Sequence, residues 1–129
     1  MGRISKNHAI NENTKKREVA VLTLGEKQEH FGKLLPLLLM EARKLNPIRV
    51  GDLFRDPRVH GYMGVKKGYG HKNSCHKLKL AVDINFVVDG VLGGEDLHER
   101  LHDWWDSIGG AKRIPHDLNH YSLEHDGHR

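Results

Sequence analysis

Eleven histidines stand in 129 residues, and nine of them lie between His60 and His128, so any metal or acid–base chemistry belongs to the C-terminal half. Three groupings have residue types and spacing suited to such chemistry. The first is HERLH, His98 to His102. This is the HExxH spacing, in which two imidazoles one helical turn apart bind zinc and the intervening glutamate, here Glu99, acts as base. Glu124 lies downstream as a candidate third ligand. His98 and His102 also read as boundary residues beside a buried helical stripe, an ordinary place for histidine on an amphipathic helix. The second grouping is Ser74, Cys75, His76 and Asp83, followed far downstream by Asp117, Leu118, Asn119 and His120. Two imidazoles and one carboxylate make a three-ligand site with a fourth position open to water, the arrangement of a catalytic rather than a structural zinc. Asp117 could then act on that water. The third is His116, His125 and His128 with His71, which could orient ligands or substrate or simply be solvated.

The spacing of the second grouping constrains the backbone. His76 and Asp83 are seven apart, and on an unbroken strand an odd separation places side chains on opposite faces. A shared metal therefore requires the regular strand to begin only at about Lys79 or Leu80, with His76 delivered by a turn or bulge. Pairing with the strand that holds His120 would bring the third ligand alongside Asp83. The single cysteine, Cys75, excludes an internal disulfide and any Cys/His finger. It reads as a small buried residue rather than a nucleophile, because no imidazole is singled out as its partner.

The elements that must position these residues follow from periodicity. Thr23 with Glu26 forms a capping-box signal, and Leu24, Phe31, Leu34, Leu35, Leu38, Leu39, Ala42 and Leu45 have helical spacing up to Asn46 and Pro47. Pro36 inside this run predicts a kink or break near Lys33. Ile48 to Phe54 reads as a short strand, and residues 55–73, rich in Gly, Pro and charge, as a long loop. Leu78, Leu80, Val82, Ile84, Phe86 and Val88 alternate with mostly polar residues, the strongest strand signal in the chain. Asp89 and Gly90 then turn into a return strand. Glu95 to Ile108 is a second helix with a stripe of Leu97, Leu101, Trp104, Trp105 and Ile108, closed by Gly109 and Gly110. His120 to Leu123 is a last strand. Helices and strands not arranged as βαβ units imply an α+β fold: a small antiparallel sheet with two main helices.

At this point the second grouping resembles a known family. Ser74, His76, Ala81 and Asp83 in the pattern SxHxxxxAxD, with the late DxxH of Asp117 and His120, are similar to the M15 peptidases. These are the zinc D-alanyl-D-alanine carboxypeptidases and L-alanyl-D-glutamate endopeptidases that cut peptidoglycan stem peptides. The likeness extends to the small phage endolysin-like branch and spans about Leu22 to Leu123, supported by GDLFR at Gly51 to Arg55, WWDSIGG and DLNHYSL. Lys79 departs from the Gly of many members. The resemblance implies a hedgehog/DD-peptidase-like fold and a Zn2+ site of His76, Asp83 and His120. It further implies Asp117 as catalytic base, Arg55 as the cation facing the scissile carbonyl, and Ser74 and His116 as substrate contacts. Zinc would bring a bound water toward a pKa of about 7, within reach of a carboxylate base, and Arg55 stays charged at any relevant pH.

Composition frames these readings. At this length one domain is expected, with residues 1–18 as a flexible, solvated arm and 19–129 as the catalytic domain. The longest apolar stretch, Leu34 to Met40, falls far short of the roughly 20 residues of a membrane span. The polar, basic start has no apolar core, so neither secretory signal nor transit peptide is expected. Under the resemblance this means a monomer that accumulates in the host cytoplasm, reaches the wall through a separate pore, and acts on peptidoglycan. The formal charge of +4 suits an anionic partner without naming one. No stable nucleic-acid partner is expected, though a non-enzymatic metal- or nucleic-acid-binding module using the basic arm is a rival reading.

Overall fold

The computed structural model describes residues 6–129. Its order is α1 (Lys6–Ala20), α2 (Leu24–Leu45), β1 (Ile48–Val50), α3 (Pro57–His60), β2 (Ala81–Val88), β3 (Val91–Gly93), α4 (Glu95–Ser107) and β4 (His120–Ser122), with a 3-10 turn at Cys75–Leu78 between α3 and β2. The fold is α+β, and every strand pairing is antiparallel.

Strand β2 organises the sheet because it is long enough to pair with all the others. One edge takes β1, with Val50 opposite Ile84; the other takes β4 near the start of β2 and the hairpin strand β3 near its end. Alternation then sorts the side chains. Val82, Ile84 and Phe86 face the core, together with Tyr121, which stands opposite Val82. Asp83 and Asn85 face the other way, and His120 is the direct partner of Asp83. Directly opposed residues of an antiparallel pair share a face. The sheet thus places Asp83 and His120 side by side.

Helices α2 and α4 close the apolar face. Phe31, Leu34, Leu38 and Ala42 of α2 and Leu101 and Trp105 of α4 are buried against β2. The Phe31 and Trp105 rings meet edge-on at 6.3 Å. The Trp105 indole N–H donates to the Ser122 carbonyl at 3.0 Å, tying α4 to β4. Gly110 lies so close to this indole that a Cβ would sit 2.2 Å from ring atoms, so the turn after α4 has room only for glycine.

Helix α2 begins at the expected capping box, Thr23 and Glu26 each bonding the other's backbone N–H. It runs unbroken through Pro36, contrary to the expected break. Pro36 and Gly32, whose carbonyl would have accepted the missing N–H, both lie on the exposed face. Water can satisfy that carbonyl, while Leu34 and Leu38 on the opposite face hold the helix to the core.

Three further elements differ from the sequence reading. Strand β1 stops at Val50 rather than Phe54, because Gly51, Asp52 and Asp83 exchange single bonds in place of a regular ladder. The segment 55–73 contains the short helix α3, capped by the Asp56 carboxylate. Residues 6–20 form a helix where a flexible arm was expected over 1–18; residues 1–5 of that arm lie outside the described residues. Helix α1 is polar nearly all round, and what docks it is tertiary: Val19 is buried and Lys16 reaches Asp106 of α4 at 2.8 Å.

Candidate metal centre

The turn that the odd spacing requires is present. Ser74 caps a 3-10 turn over Cys75–Leu78, its hydroxyl accepting the His76 N–H at 3.2 Å. Lys79 then adopts a left-handed conformation, φ 59°, and the strand starts at Ala81. This reversal swings His76 onto the Asp83 face. Three donor atoms meet there. His76 Nε2 lies 3.0 Å from Asp83 Oδ1 and 3.2 Å from His120 Nδ1, and His120 Nδ1 lies 3.7 Å from Asp83 Oδ1. Among the described residues these three are the group that could hold a metal ion.

Each donor is aimed by its surroundings. His76 Nδ1 is 2.8 Å from the Leu53 carbonyl, which can only accept, so Nδ1 carries the proton and Nε2 presents its lone pair to the cluster. Arg55 N–H donates to the His76 carbonyl at 3.0 Å, fixing the turn from the other side. Asp83 is held through its backbone by Gly51 and Asp52. Burial pushes its carboxyl pKa up, but the His120 and His76 imidazoles beside it outweigh burial and leave it well below the usual carboxylate range. Two imidazole nitrogens and a carboxylate oxygen converging within 3.7 Å of one another are donors of the type and spacing that fit a metal ion. Both imidazoles are buried, whereas one side of the cluster opens on a cleft of about 550 Å³.

That cleft gathers most of the other expected site residues. Arg55, Ser74, Asp117 and His120 line it, with His71 and His128. Arg55 is clamped: Nε donates to Asp52 Oδ2 at 3.1 Å, Nη1 to Ser74 Oγ at 3.2 Å, and Nη2 lies 3.7 Å from Asp83 Oδ2. The guanidinium lies over the Tyr69 ring and passes so near Gly70 that a Cβ there would be 2.5 Å from Nη1; Gly70 also has φ +90°. Asp117 is exposed in the cleft, and the backbone around it is set by two turn bonds, Asp117 N–H to Ile114 and His120 N–H to Asp117. His116 is exposed and outside the cleft lining, so the structure does not bring it to the site. His125 is drawn off by Lys27, whose ammonium is 3.1 Å from its Nδ1.

The HERLH residues have a different role from either reading of the sequence. His98 and His102 are buried, not boundary residues. His98 Nδ1 is 2.7 Å from the Tyr121 hydroxyl; His102 stacks on Tyr121 at 4.0 Å and donates from Nε2 to the Leu118 carbonyl at 2.7 Å. Glu99 turns to Arg113. These histidines brace β4 and the Asp117–His120 segment, and no third ligand joins them among the described residues. Burial lowers both their pKa values, that of His102 to about 4, so they stay neutral.

Sequence reasoning gave Lys77 no role. Lys77 is buried, and its ammonium donates to the carbonyls of Val65 at 2.8 Å, Lys72 at 2.9 Å and, at 3.4 Å, Tyr62. It pins the glycine-rich wall of the cleft, and burial, then the charge of Arg55, lowers its pKa. A lone lysine in a polar run carries no signal of this role. Cys75 is fully buried, and burial, helped by the charge of Glu124, pushes its thiol up to about 12, which excludes a resting thiolate nucleophile. No family model, curated protein or solved structure matches this chain.

Proposed function

We propose that this chain is a zinc-dependent metallopeptidase that hydrolyses peptide bonds in bacterial peptidoglycan stem peptides, as the M15 resemblance implies, and that it serves as a phage lysis enzyme. The observation that carries the reading is the convergence of His76, Asp83 and His120 at the edge of a cleft that also holds Asp117 and Arg55. Zinc suits the donors. Tetrahedral bonds of about 2.0–2.1 Å place ligand atoms about 3.3 Å apart, and the separations of 3.0, 3.2 and 3.7 Å bracket that value. Two imidazoles among three ligands disfavour magnesium and calcium, which take oxygen.

A zinc ion held by these residues supplies Lewis acidity, acidifying water and polarising a carbonyl oxygen. The chain's own groups do the rest. Asp117 has no side-chain hydrogen bond among the described residues, so its carboxylate is free to take a proton from the attacking water and return it to the leaving amine. Arg55, already held in position by Asp52, Ser74 and the Gly70 contact, stabilises the negative charge that develops on the scissile carbonyl oxygen without reorganising.

The test is digestion of purified peptidoglycan followed by mass spectrometry, in which new termini name the bond. The parent should release stem-peptide fragments at an L-alanyl-D-glutamate or D-alanyl-D-alanine bond. Asp117→Ala should keep its zinc and release none. A zinc-loaded parent that leaves peptidoglycan intact would end this reading.

A further inference from the structure

The positive charge of this chain is concentrated beside the cleft. Residues 51–80 carry seven Lys or Arg and two Asp, a net +5 that exceeds the +4 of the whole chain, so the remainder is slightly acidic. Arg55 and Lys77 face inward and Arg58 is paired with Asp56. That leaves Lys66, Lys67, Lys72 and Lys79, all exposed and none within ion-pair distance of a carboxylate among the described residues. Apolar groups are interleaved with them. Six of the twelve exposed large hydrophobic residues among the described residues fall in 53–69, including Val59, Tyr62, Val65 and Tyr69.

Tyr62, Val65 and Lys72 are rooted close together, because their carbonyls share the Lys77 ammonium. The same loop turns inward at Gly70, His71 and Asn73 to line the cleft. The exposed face and the cleft are therefore one continuous surface. Patches that combine unpaired charge with exposed apolar area mark interaction sites on soluble domains.

We propose that this loop face docks the anionic wall polymer whose peptide enters the adjoining cleft, its lysines meeting the polymer's carboxylates and its Tyr and Val side chains covering sugar and aliphatic surface. The proposal rests on the peptidase reading for the occupant. Continuity decides between polymers: a chain entering past Gly70, His71 and Asn73 runs over this loop.

The test is co-sedimentation of the full chain with purified peptidoglycan sacculi, in an Asp117→Asn background that leaves the sacculi undigested. It compares the parent with the triple variant K66Q/K67Q/K72Q. Duplex DNA, single-stranded DNA and anionic phosphatidylglycerol vesicles are run in parallel. The triple variant should lose sacculus retention by about tenfold or more at low ionic strength. The difference should close at about 1 M salt, where the screening length falls to about 3 Å, while metal content stays unchanged. Equal retention of parent and variant overturns the proposal. So does a parent that ignores sacculi but binds DNA or vesicles. Charge-dependent retention by a protein whose Asp117 form cuts no bond would uphold docking and sink the peptidase reading; cleavage with charge-independent retention would do the reverse.

Discussion

Acidification from pH 7 to pH 4 should destabilise this protein through His102, a residue outside the metal cluster. Its imidazole is fully buried, stacked on Tyr121 and bonded through Nε2 to the Leu118 carbonyl, and burial lowers its pKa from 6.5 to about 4. Between those values the unfolded chain binds a proton that the folded chain refuses, so stability falls as pH drops through the window. At 1.36 kcal/mol per pKa unit, the loss is about 2 kcal/mol at pH 5 and about 3 kcal/mol at pH 4. His98, also depressed by burial, adds a loss of the same sign. Asp83 has its carboxyl lowered, so its contribution is present above the ordinary carboxylate value and vanishes only below it. Measurements at pH 5 therefore separate His102 from Asp83. The assay is urea unfolding at pH 7, 5 and 4 in a chelator, comparing the parent with His102→Gln, whose amide can still donate to Leu118 but does not titrate. The parent should lose about 2 kcal/mol more than the variant between pH 7 and 5. Identical pH slopes would refute the argument that a buried neutral imidazole braces β4.

Three further outcomes can be checked. Lys77→Met keeps the apolar stem but leaves carbonyls of Val65, Lys72 and Tyr62 without their donor. At about 1–3 kcal/mol for each buried unsatisfied group, the loop at residues 61–73 should become the first site of cleavage in limited proteolysis; unchanged protection would show that the ammonium does not hold it. Gly110→Ala drives a Cβ into the Trp105 indole and should cost about 1–3 kcal/mol in urea unfolding, with little loss meaning that the turn after α4 can shift. Cys75 should resist a thiol reagent in the folded protein and react at once in denaturant; rapid reaction under native conditions would contradict its burial.

The sequence was most informative where one local rule decided the outcome. Thr23 and Glu26 announced the start of α2, and the alternation through Val82, Ile84 and Phe86 announced β2. The odd separation of His76 and Asp83 demanded a reversal, found as the 3-10 turn and left-handed Lys79, and the pairing of Asp83 with His120 followed from the sheet. What was illegible depended on tertiary partners. Helix α1 has no apolar stripe and is held by Val19 and the Lys16–Asp106 pair. Pro36 is tolerated because its face is exposed. His98 and His102 lie beside the Leu101 stripe in sequence, yet the Tyr121 hydroxyl and the Leu118 carbonyl give them partners that make burial affordable. Lys77 is buried for the same reason, with acceptors 5 to 15 residues away.

The central claim is a metal centre built from His76, Asp83 and His120, and zinc stoichiometry tests it most directly. Purified parent, His76→Ala, His120→Ala and His98→Ala proteins, each shown to be folded by circular dichroism, are loaded with zinc, dialysed and measured by elemental mass spectrometry. The account predicts about one zinc per chain for the parent and for His98→Ala, and a loss of binding in His76→Ala and His120→Ala, because removing one imidazole leaves only two of the three protein ligands. A parent that holds no zinc, or a His98→Ala protein that loses zinc while His120→Ala keeps it, would contradict the account.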